Sequence, residues 1–442
     1  MATDVRQIVM AGADERDLTK LAEYEAIGGY QALQRARALA PQAIIDELNA
    51  SELRGRGGAF FATGRKWSFV PKPDQNPNPH YLVVNADESE PGSFKDNEIM
   101  ARVPHRFIEG CLITAHAVDS KNVFVYIRGE YTGPYDVLVG ALEELHARPD
   151  LRGDVTIVLH RGAGAYICGE ETALLESLEG KRGQPRTKPP FPAVQGLYAS
   201  PTVVNNVETM ATVPPIITTG GAEYAKLGVP DSRGTRLVSL SGHVVNGGNY
   251  EIENGVSLRR LIYDLGGGIP GGRELKAVIP GGSSTAILRA DEIDVGYDFN
   301  SLAKLDTAVG SAGVIVLDDR CCMVQLGIRV NEFYEHESCG KCTPCREGTR
   351  WMTQILRRLE AGNAEQHELD LLLDVCDRIN GKCLCPLGET AAIAVASYVD
   401  KFRDEFQAHL DDGCPFGDDS PLHDVLAPVA MHAHFPTALV PA

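Results

Sequence analysis

The chain has no long apolar run and no excess of basic residues. No uncharged apolar stretch reaches the ~18 residues that a membrane-spanning helix needs. The net charge is −18 at pH 7, from 42 Lys and Arg against 60 Asp and Glu, and no basic stripe offsets it. A nucleic acid is therefore disfavoured as a partner. Any membrane association is expected to come through other subunits, without a direct membrane span.

The N-terminus also lacks the charged and then apolar leader of an exported protein, so we expect a reducing compartment and no disulfides. No internal repeat is visible. Most of the cysteines outside one tight group are scattered, and we interpret them as small buried hydrophobic residues. They are Cys111, Cys168, Cys321, Cys322, Cys376 and Cys414.

The remaining cysteines have the spacing of an iron–sulfur site. Cys339, Cys342 and Cys345 follow a C-x2-C-x2-C pattern, and Cys385 comes later in the chain. Three thiolates at this spacing plus a distant fourth are typical of a [4Fe–4S] cluster. A structural zinc would favour two C-x2-C pairs, whereas the second half offers only Cys383-x-Cys385.

Apolar runs alternate with helical patterns in the first half of the chain. This alternation predicts an α/β fold with a mostly parallel sheet that is covered on both faces. Strands are predicted at 81–84, 122–127 and 155–159, and helices at 106–118, 135–147, 169–178 and 207–217.

The pattern of apolar and glycine residues changes near residue 235. A hairpin pattern with a Gly-Gly turn, a short helix and a further strand predict a small β-grasp domain. From about residue 323 the chain reads as a helical bundle, with one helix starting at Arg346 whose positive N-terminus faces the cysteines. The predicted divisions are 1–234 (α/β domain with a helical lead-in), 235–322 (β-grasp domain), 323–416 (bundle) and 417–442 (tail).

Three segments carry the polar groups of a nucleotide or flavin site. The run 53–67 offers glycine backbone and cations to a phosphate, although a solvated turn explains it equally well. The acidic segment 85–92 follows a strand and suits ribose or ribityl hydroxyls, with an exposed acidic loop as the alternative. The segment 160–172 combines a strand end, a Gly-rich turn and a helix start, which favours a second cradle.

A flavin would connect these segments to the cysteines. NADH gives up two electrons as a hydride, an iron–sulfur cube accepts one, and a flavin converts between the two. Phe61, Phe69 and Phe191 are candidate stacking surfaces, although each taken alone is more often a core residue. Their loop context favours Phe61 and Phe191.

The motifs resemble one known family. Four of them occur in a fixed order: Gly-Arg-Gly-Gly-Ala, Asn-Ala-Asp-Glu-Ser-Glu-Pro-Gly, Gly-Ala-Gly-Ala-Tyr-Ile-Cys-Gly-Glu-Glu-Thr and Glu-Ser-Cys-Gly-Lys-Cys-Thr-Pro-Cys-Arg-Glu-Gly. Over about residues 15–416 the chain resembles the NADH-oxidising flavoprotein subunit of respiratory complex I, the NuoF type. The resemblance implies a Rossmann-like flavin domain, a ubiquitin-like (β-grasp) domain and a C-terminal four-helix bundle.

The same resemblance implies cofactors and partners. FMN, NADH and one [4Fe–4S] cluster are expected, with electrons passing toward quinone through partner subunits. Those partners are a thioredoxin-like iron–sulfur subunit and a large iron–sulfur subunit, on the cytoplasmic side of the bacterial inner membrane.

Individual residues are also implied by the resemblance. Because the hydride passes to FMN, no catalytic side chain is expected, and Glu90 is expected near the nicotinamide. The cluster ligands are Cys339, Cys342, Cys345 and Cys385, with Pro386 and Leu387 on the flavin side. The residues facing NADH are Gly58, Phe61, Glu90, Lys188 and Phe191. The FMN pocket is lined by Gly55, Arg56, Gly57, Lys66, Asn85, Asp87, Glu88, Tyr166, Gly169, Glu170, Glu171, Asn205 and Asn206.

Two positions depart from the family pattern. Phe60 stands where the family has a glycine, which restricts φ and adds bulk, so we expect a reshaped NADH site and a lower KM for NADH in Phe60→Gly. Cys383 competes with Cys385 as fourth ligand, but Cys-Pro-Leu-Gly fits the family's Cys-x-Leu-Gly and favours Cys385.

Two other functions compete with this interpretation. The first is the diaphorase subunit of a soluble NAD-dependent hydrogenase or formate dehydrogenase, whose relatives often carry a fused thioredoxin-like domain or extra cysteine sets that are not visible here. The second is a non-catalytic assembly scaffold that has lost its flavin, which only Phe60 favours.

Overall fold

A four-stranded parallel sheet organises the first half of the molecule. The computed structural model describes residues 7–72 and 75–423. The strand order is β3-β2-β1-β4, and every neighbouring pair is parallel, which confirms the predicted parallel α/β fold. The strands are β1 (His80–Ala86), β2 (Ser120–Ile127), β3 (Thr156–Arg161) and β4 (Thr202–Asn206).

Both faces of this sheet are covered. Leu82 and Val84 of β1 belong to one hydrophobic core with the surrounding helices, whereas Val83 belongs to a second core shared with the C-terminal helices. The side chains of a strand alternate between faces, so a continuous apolar run marks a strand that is buried on both sides.

Twelve short to medium helices surround the parallel sheet in the described part of the chain. Pro104–Ala117 packs against Val207–Thr219, and Gly110 permits the contact because a Cβ at that position would collide with the Met210 carbonyl. The helices are α1 (Leu21–Ala26), α2 (Gln31–Arg37), α3 (Pro41–Ala50), α4 (Thr63–Trp67), α5 (Lys95–Arg102), α6 (Pro104–Ala117), α7 (Thr132–His146), α8 (Pro149–Arg152), α9 (Glu171–Leu178), α10 (Pro192–Gln195), α11 (Val207–Thr219) and α12 (Gly221–Tyr224).

A second, mixed sheet follows. Its order is β10-β9-β11-β7-β8, and only the pair β11–β7 is parallel. The pair β7–β8 is the hairpin expected from the Gly-Gly turn. The elements are β5 (Gly228–Val229) and β6 (Ser232–Arg233), which pair separately, then β7 (Thr235–Gly242), β8 (Gly248–Glu253), α13 (Leu258–Arg260) with a π-turn at Leu261–Leu265, β9 (Leu275–Ile279), β10 (Leu288–Arg289), α14 (Phe299–Ala303) and β11 (Gly313–Asp318).

Helices make up the described C-terminal region. They are α15 (Met323–Glu337), α16 (Thr343–Glu360), α17 (Gln366–Ile379), α18 (Pro386–Lys401) and α19 (Arg403–Asp412). The expected helix start at Arg346 is wrong, because α16 begins at Thr343 and Cys345 lies in its first turn. Pro344 suits that turn, since the first turn of a helix needs no N–H from the proline.

No helix of the described residues combines the length and the apolarity that crossing a membrane requires. The predicted tail at 417–442 begins with a 3-10 turn at Gly417–Asp419, and its part from 424 to 442 lies outside the described residues.

Candidate functional site

A cavity of about 1040 Å³ opens at the carboxyl ends of β1 and β4. Its wall contains every residue that the sequence assigned to FMN or NADH, from the loop before α4, the end of β1, the segment before α9 and the end of β4. Cys385, Pro386 and Leu387 at the start of α18 line the same cavity. The structure therefore joins the predicted flavin segments to the cysteine region in one place.

The Gly-rich loop closes one side of the cavity by close backbone approach. A Cβ on Gly57 would lie 3.1 Å from the Cβ of Asn206, and Gly58 has a φ of +105°. Lys66 in α4 donates from Nζ to the Val204 carbonyl at 2.9 Å, and Glu171 lies 3.8 Å from the same nitrogen. Burial lowers the pKa of Lys66.

Arg56 contributes to the cavity differently from the sequence-based expectation. Its buried guanidinium donates to the carbonyls of Arg233 at 3.0 Å and Thr235 at 2.7 Å, beside β7. Its backbone N–H donates to Oγ1 of Thr209 at 2.9 Å. The side chain thus fastens the loop to the second sheet and is not available as a phosphate-binding cation.

Two buried acidic residues that follow β1, Asp87 and Glu88, differ in their hydrogen bonding. Burial raises the pKa of Asp87 to about 7, and its Oδ2 has no hydrogen-bond partner in the protein. Glu88 accepts the backbone N–H groups of Asp96 and Asn97, both at 3.0 Å, and the Tyr131 hydroxyl at 3.0 Å. Glu88 therefore caps the N-terminus of α5, whereas Asp87 keeps an acceptor for a ligand.

An ion network that the sequence analysis missed supports this edge of the cavity. The buried Lys95 pairs with Asp96 at 2.8 Å and with Glu208 at 2.9 Å. Asn206 donates to Asp96 at 2.5 Å. The only signal in the sequence was a lysine beside an aspartate at a helix start, directly after the acidic motif. Lys95 and Asp96 also line the cavity.

Glu90 connects the cavity to the second sheet. It accepts the Tyr166 hydroxyl at 2.6 Å, the Ser284 backbone N–H at 2.7 Å and the Ser283 hydroxyl at 3.2 Å. Burial raises the pKa of Glu90 despite these donors. The Tyr166 ring packs against Phe333 at a centroid distance of 5.1 Å, so its position is fixed from the C-terminal helices.

Exposed aromatic side chains mark the mouth of the cavity. Phe61 is 42% exposed and Phe191 is 59% exposed, and both line the cavity. Phe69 packs against Phe61 at a centroid distance of 5.9 Å and is 49% exposed. Lys188 forms ion pairs with Glu170 at 3.1 Å and Glu171 at 2.7 Å.

Phe60 adopts the left-handed backbone that a glycine would favour, with a φ of 55°. Its ring packs against Phe299 at a centroid distance of 4.2 Å, and the Arg236 guanidinium lies 5.9 Å from the ring centre. The ring therefore packs in the region of the mixed sheet while Phe60 also lines the cavity, so the reshaped NADH site stays a prediction.

The cysteines converge where two helices begin. Cys342 is the N-cap of α16, Cys385 is the N-cap of α18, and Cys345 is buried in the first turn of α16. Burial, and then the neighbouring Cys339 and Cys345, raise the pKa of Cys385 to about 12. Helix N-termini favour the anionic ligands that a metal cluster requires.

Cys383 also lies in this group. Burial raises the pKa of Cys383 to about 12, with Cys342 and Cys345 as its nearest thiol neighbours. Of the two rival cysteines, only Cys385 lines the cavity.

The residues present fit both an FMN and an iron–sulfur cluster. The unpartnered Oδ2 of Asp87 and the glycine backbone beside Asn206 suit a hydroxyl-rich ligand that approaches the backbone closely. The convergent thiols at two helix N-termini suit a cluster whose ligands must be deprotonated.

Three families match consecutive parts of the chain. The family described as Nuo51 FMN-binding domain matches residues 48–215, the SLBB domain matches 236–316, and the NADH-ubiquinone oxidoreductase-F iron-sulfur binding region matches 327–409. These segments contain the parallel sheet, the mixed sheet and the cysteine-bearing helices respectively.

Full-length relatives show the same likeness. An NADH-quinone oxidoreductase F subunit of Rhizobium meliloti (strain 1021) is 50% identical over 418 residues, which are 92% of this chain and 99% of that protein. The NADH-quinone oxidoreductase F subunit of Streptomyces coelicolor is 47% identical over 417 residues, 92% of each chain. A chain of an NAD+-reducing [NiFe]-hydrogenase in the air-oxidised state is 34% identical with a TM-score of 0.80, covering 92% of this chain and 67% of that one.

Proposed function

The chain belongs to the family of NADH-quinone oxidoreductase F subunits, and from this membership we propose which of its residues hold each cofactor. The protein is an oxidoreductase subunit that takes in electrons from NADH, with FMN and a [4Fe–4S] cluster as its cofactors. One observation carries the assignment: a single cavity wall contains both the nucleotide-type segments and Cys385.

The carboxyl end of the parallel sheet holds FMN in this proposal. Asp87 accepts a hydroxyl of the ribityl chain at its unpartnered Oδ2. The backbone of Gly55, Gly57 and Gly169 approaches the flavin closely, and Lys66 contributes positive charge beside it. Arg56, Glu88 and Glu171 act indirectly, because their charged groups are engaged by the protein. The other assigned wall residues are Asn85, Tyr166, Glu170, Asn205 and Asn206.

The mouth of the cavity holds NADH. The exposed rings of Phe61 and Phe191 offer stacking surfaces to its aromatic bases, and Gly58 leaves room for the approach. Lys188 stands beside the opening with its charge balanced by two glutamates. Glu90 lies deeper and orients Tyr166 toward the cavity.

FMN, when bound, supplies the conversion between a two-electron hydride donor and a one-electron acceptor. The chain's own contribution is to hold the two groups against one wall. We assign the cluster to Cys339, Cys342, Cys345 and Cys385, because Cys385 alone of the two rivals faces the cavity.

The finer architecture and the setting are also proposals. We assign residues 1–234 to a Rossmann-like flavin domain, 235–322 to a ubiquitin-like domain, 323–416 to a four-helix bundle around the cluster, and 417–442 to a tail. The thioredoxin-like and the large iron–sulfur subunits would receive electrons on the cytoplasmic side of the bacterial inner membrane, toward quinone. The relatives named as NADH-quinone oxidoreductase subunits support the quinone-linked part of this setting.

A diaphorase role is the second candidate. It is favoured by the likeness to a chain of NAD+-reducing [NiFe]-hydrogenase, at 34% identity. The higher identity of 50% to an NADH-quinone oxidoreductase chain favours the quinone-linked role. Both roles use the same cavity, so they differ in the electron acceptor and not in the site.

Anaerobic NADH titration of the reconstituted chain tests the proposal. Visible absorbance should show bleaching of a flavin, and EPR should show reduction of the iron–sulfur cluster. In Asp87→Ala the flavin content should fall, whereas in Asp136→Ala, at an exposed position of α7, it should stay at the wild-type level. Equal flavin content in both variants would contradict the role given to Asp87.

A further inference from the structure

A second group of metal-type ligands lies in the C-terminal helices, apart from the cavity. We call Cys322, Glu360, His409 and Cys414 the C-terminal cluster. None of the four lines the cavity. Cys322 is the N-cap of α15, Glu360 is the last residue of α16, His409 lies in α19, and Cys414 follows α19. The cluster thus joins the ends of three helices and the loop after the last one.

The four side chains are arranged at the spacing of a tetrahedral metal site. Cys322 Sγ lies 3.3 Å from His409 Nε2, 3.8 Å from Cys414 Sγ and 3.9 Å from Glu360 Oε2, and His409 Nε2 lies 3.4 Å from Glu360 Oε2. Tetrahedral zinc, with bonds of about 2.0–2.3 Å, separates its ligand atoms by about 3.3–3.8 Å. Three of the four observed separations fall in this range, the fourth exceeds it by 0.1 Å, and all four ligand atoms lie within 4.8 Å of one another.

Contacts behind the ligands orient them toward a common centre. His409 Nδ1 lies 2.7 Å from the Glu405 carbonyl, so Nδ1 donates to that carbonyl and Nε2 is left to face the cluster. Gln325 donates from Nε2 to Glu360 Oε1 at 2.8 Å, which leaves Oε2 for the centre. Such outer hydrogen bonds are typical of protein zinc ligands.

Cys322 offers its sulfur from a buried position at the start of α15. Its side chain is fully buried. The backbone N–H of Gln325 donates to its Sγ at 3.4 Å from the first turn of α15. Within the described residues, Glu360 has no Lys or Arg at ion-pair distance, and its Oε2 lies 3.4 Å from His409 Nε2.

A neighbouring group of similar composition lacks these features. His243, Asp318 and Cys321 also lie within reach of one another. Arg320 already neutralises Asp318 through an ion pair at 2.7 Å, and His243 Nδ1 accepts the Asp318 backbone N–H at 3.1 Å. This group is a satisfied set of internal contacts and provides a control for the C-terminal cluster.

We propose that the C-terminal cluster binds a structural zinc ion, which fastens α19 and the following loop to the ends of α15 and α16. Two thiols lose their protons to solvent as Zn²⁺ binds, while Glu360 and the neutral His409 ligate without proton transfer. The matched iron–sulfur binding region covers 327–409, so Cys322 and Cys414 lie outside it and no matched family assigns this site.

Metal analysis of the full chain tests the proposal. The protein is produced without oxygen in medium containing iron and zinc, passed over a desalting column, and assayed for both metals. We expect about one zinc per chain in the wild type, and less than about a tenth of that in Cys414→Ser and in His409→Gln. The iron content should be the same in all three.

Three further variants locate the zinc. Cys321→Ser belongs to the neighbouring group, and Cys376→Ser removes a buried thiol that contacts Met352. Both should keep the wild-type zinc content. Cys385→Ser should lose iron and keep zinc, which separates this proposal from the assignment of the iron–sulfur ligands.

Cobalt gives a readout that does not depend on any variant. Co²⁺ in place of zinc should give the thiolate charge-transfer absorption and the intense visible bands of a tetrahedral site. Zinc below about a tenth per chain in iron-replete wild type would overturn the proposal, as would equal zinc in Cys414→Ser. A Cys322–Cys414 disulfide found in the anaerobic protein by mass spectrometry would also overturn it.

Discussion

Buried polar groups are stabilised in different ways at the cavity wall and in the cysteine region. At the cavity, carboxylates and a lysine are buried in a network in which almost every group has a partner, with Asp87 Oδ2 as an exception. Thiols gather at the start of α16 and α18, where burial and neighbouring thiols raise the pKa of Cys345, Cys383 and Cys385. The first arrangement positions a ligand through hydrogen bonds, and the second requires a metal to hold its charged form.

This difference predicts how each region responds to the substitution of one residue. Loss of one group at the cavity should weaken a ligand or the local fold by a graded amount, because the remaining network persists. Loss of one thiol should remove a cluster as a whole, because cubane assembly depends on all of its ligands. The following experiments test that contrast.

The largest effect is expected for Cys385→Ser. The cluster's EPR signal and the bound iron should be lost, while the flavin remains reducible by NADH. Cys383→Ser is the matched control, since Cys383 lies two positions before its rival and does not line the cavity. A lost signal in Cys383→Ser with a retained one in Cys385→Ser would reverse the ligand assignment.

Lys95→Met should be the most destabilising change at the cavity. It leaves Asp96 and Glu208 buried without their cation, which typically costs about 3–5 kcal/mol of unfolding free energy. Lys121→Met is the control, because the ion pair of Lys121 with Asp154 is exposed and such pairs contribute at most about 1 kcal/mol. Urea denaturation of both variants measures the difference. Similar losses of unfolding free energy in the two variants would show that the buried ion network stabilises the protein no more than the exposed pair does.

Asp87 should make the stability of the flavin-free protein depend on pH. Burial raises the pKa of Asp87 to about 7 in the folded state, above its usual value of about 3.9. Between these two pKa values the folded state therefore binds more protons than the unfolded state. The contribution of Asp87 to the unfolding free energy is thus fully present below pH ~4 and is lost as the pH rises toward ~7. The change is at most about 4 kcal/mol.

Asp87→Asn checks this sign. The unfolding free energy of the variant without flavin should vary less between pH 5 and pH 8 than that of the wild type. Its affinity for FMN should fall by about tenfold, because the amide can present its acceptor to a hydroxyl less favourably than a carboxylate. An unchanged pH profile would remove Asp87 as the titrating group.

The smallest effect is expected for Phe60→Gly. Losing the contact with Phe299 should destabilise the conformation of this loop, whereas glycine adopts a φ of 55° without strain and should stabilise it. The two effects of the substitution therefore oppose each other. The KM for NADH should therefore decrease, as the sequence predicts, but by less than about twofold. Phe61→Ala, which removes an exposed ring at the cavity mouth, should raise the KM for NADH, and by a larger factor than Phe60→Gly changes it. Steady-state kinetics of both variants decide between these expectations.

Part of the fold was readable from the sequence because its signals are local. The apolar runs at 81–84 and 122–127 predicted strands, and the parallel pairing of β1 with β2 agrees. The strand β4 was missed, since five residues ending in Asn205 and Asn206 carry no apolar run. Its strand conformation comes from pairing with β1, which only the folded sheet provides.

The candidate site, like the fold, was predicted from the sequence only in part. The segments that the motifs predicted line one cavity, because those at 85–92 and 160–172 include or follow the carboxyl ends of parallel strands at one edge of the sheet. They did not reveal that Glu88 caps α5 or that Arg56 reaches the carbonyls beside β7. A side chain's partner depends on which distant backbone groups lack one, and sequence spacing does not contain that information.

The sequence by itself determined the chemistry: the acidic and glycine-rich segments, the C-x2-C-x2-C set and the alternation of strands and helices are all local in the chain. Only the tertiary structure decided which groups meet, as with Asp87 Oδ2 left without a hydrogen-bond partner and Cys322 Sγ brought to 3.8 Å from Cys414 Sγ. The physical reason is that packing fixes contacts between residues far apart in sequence, and burial then sets the charge and hydrogen-bonding state of each group.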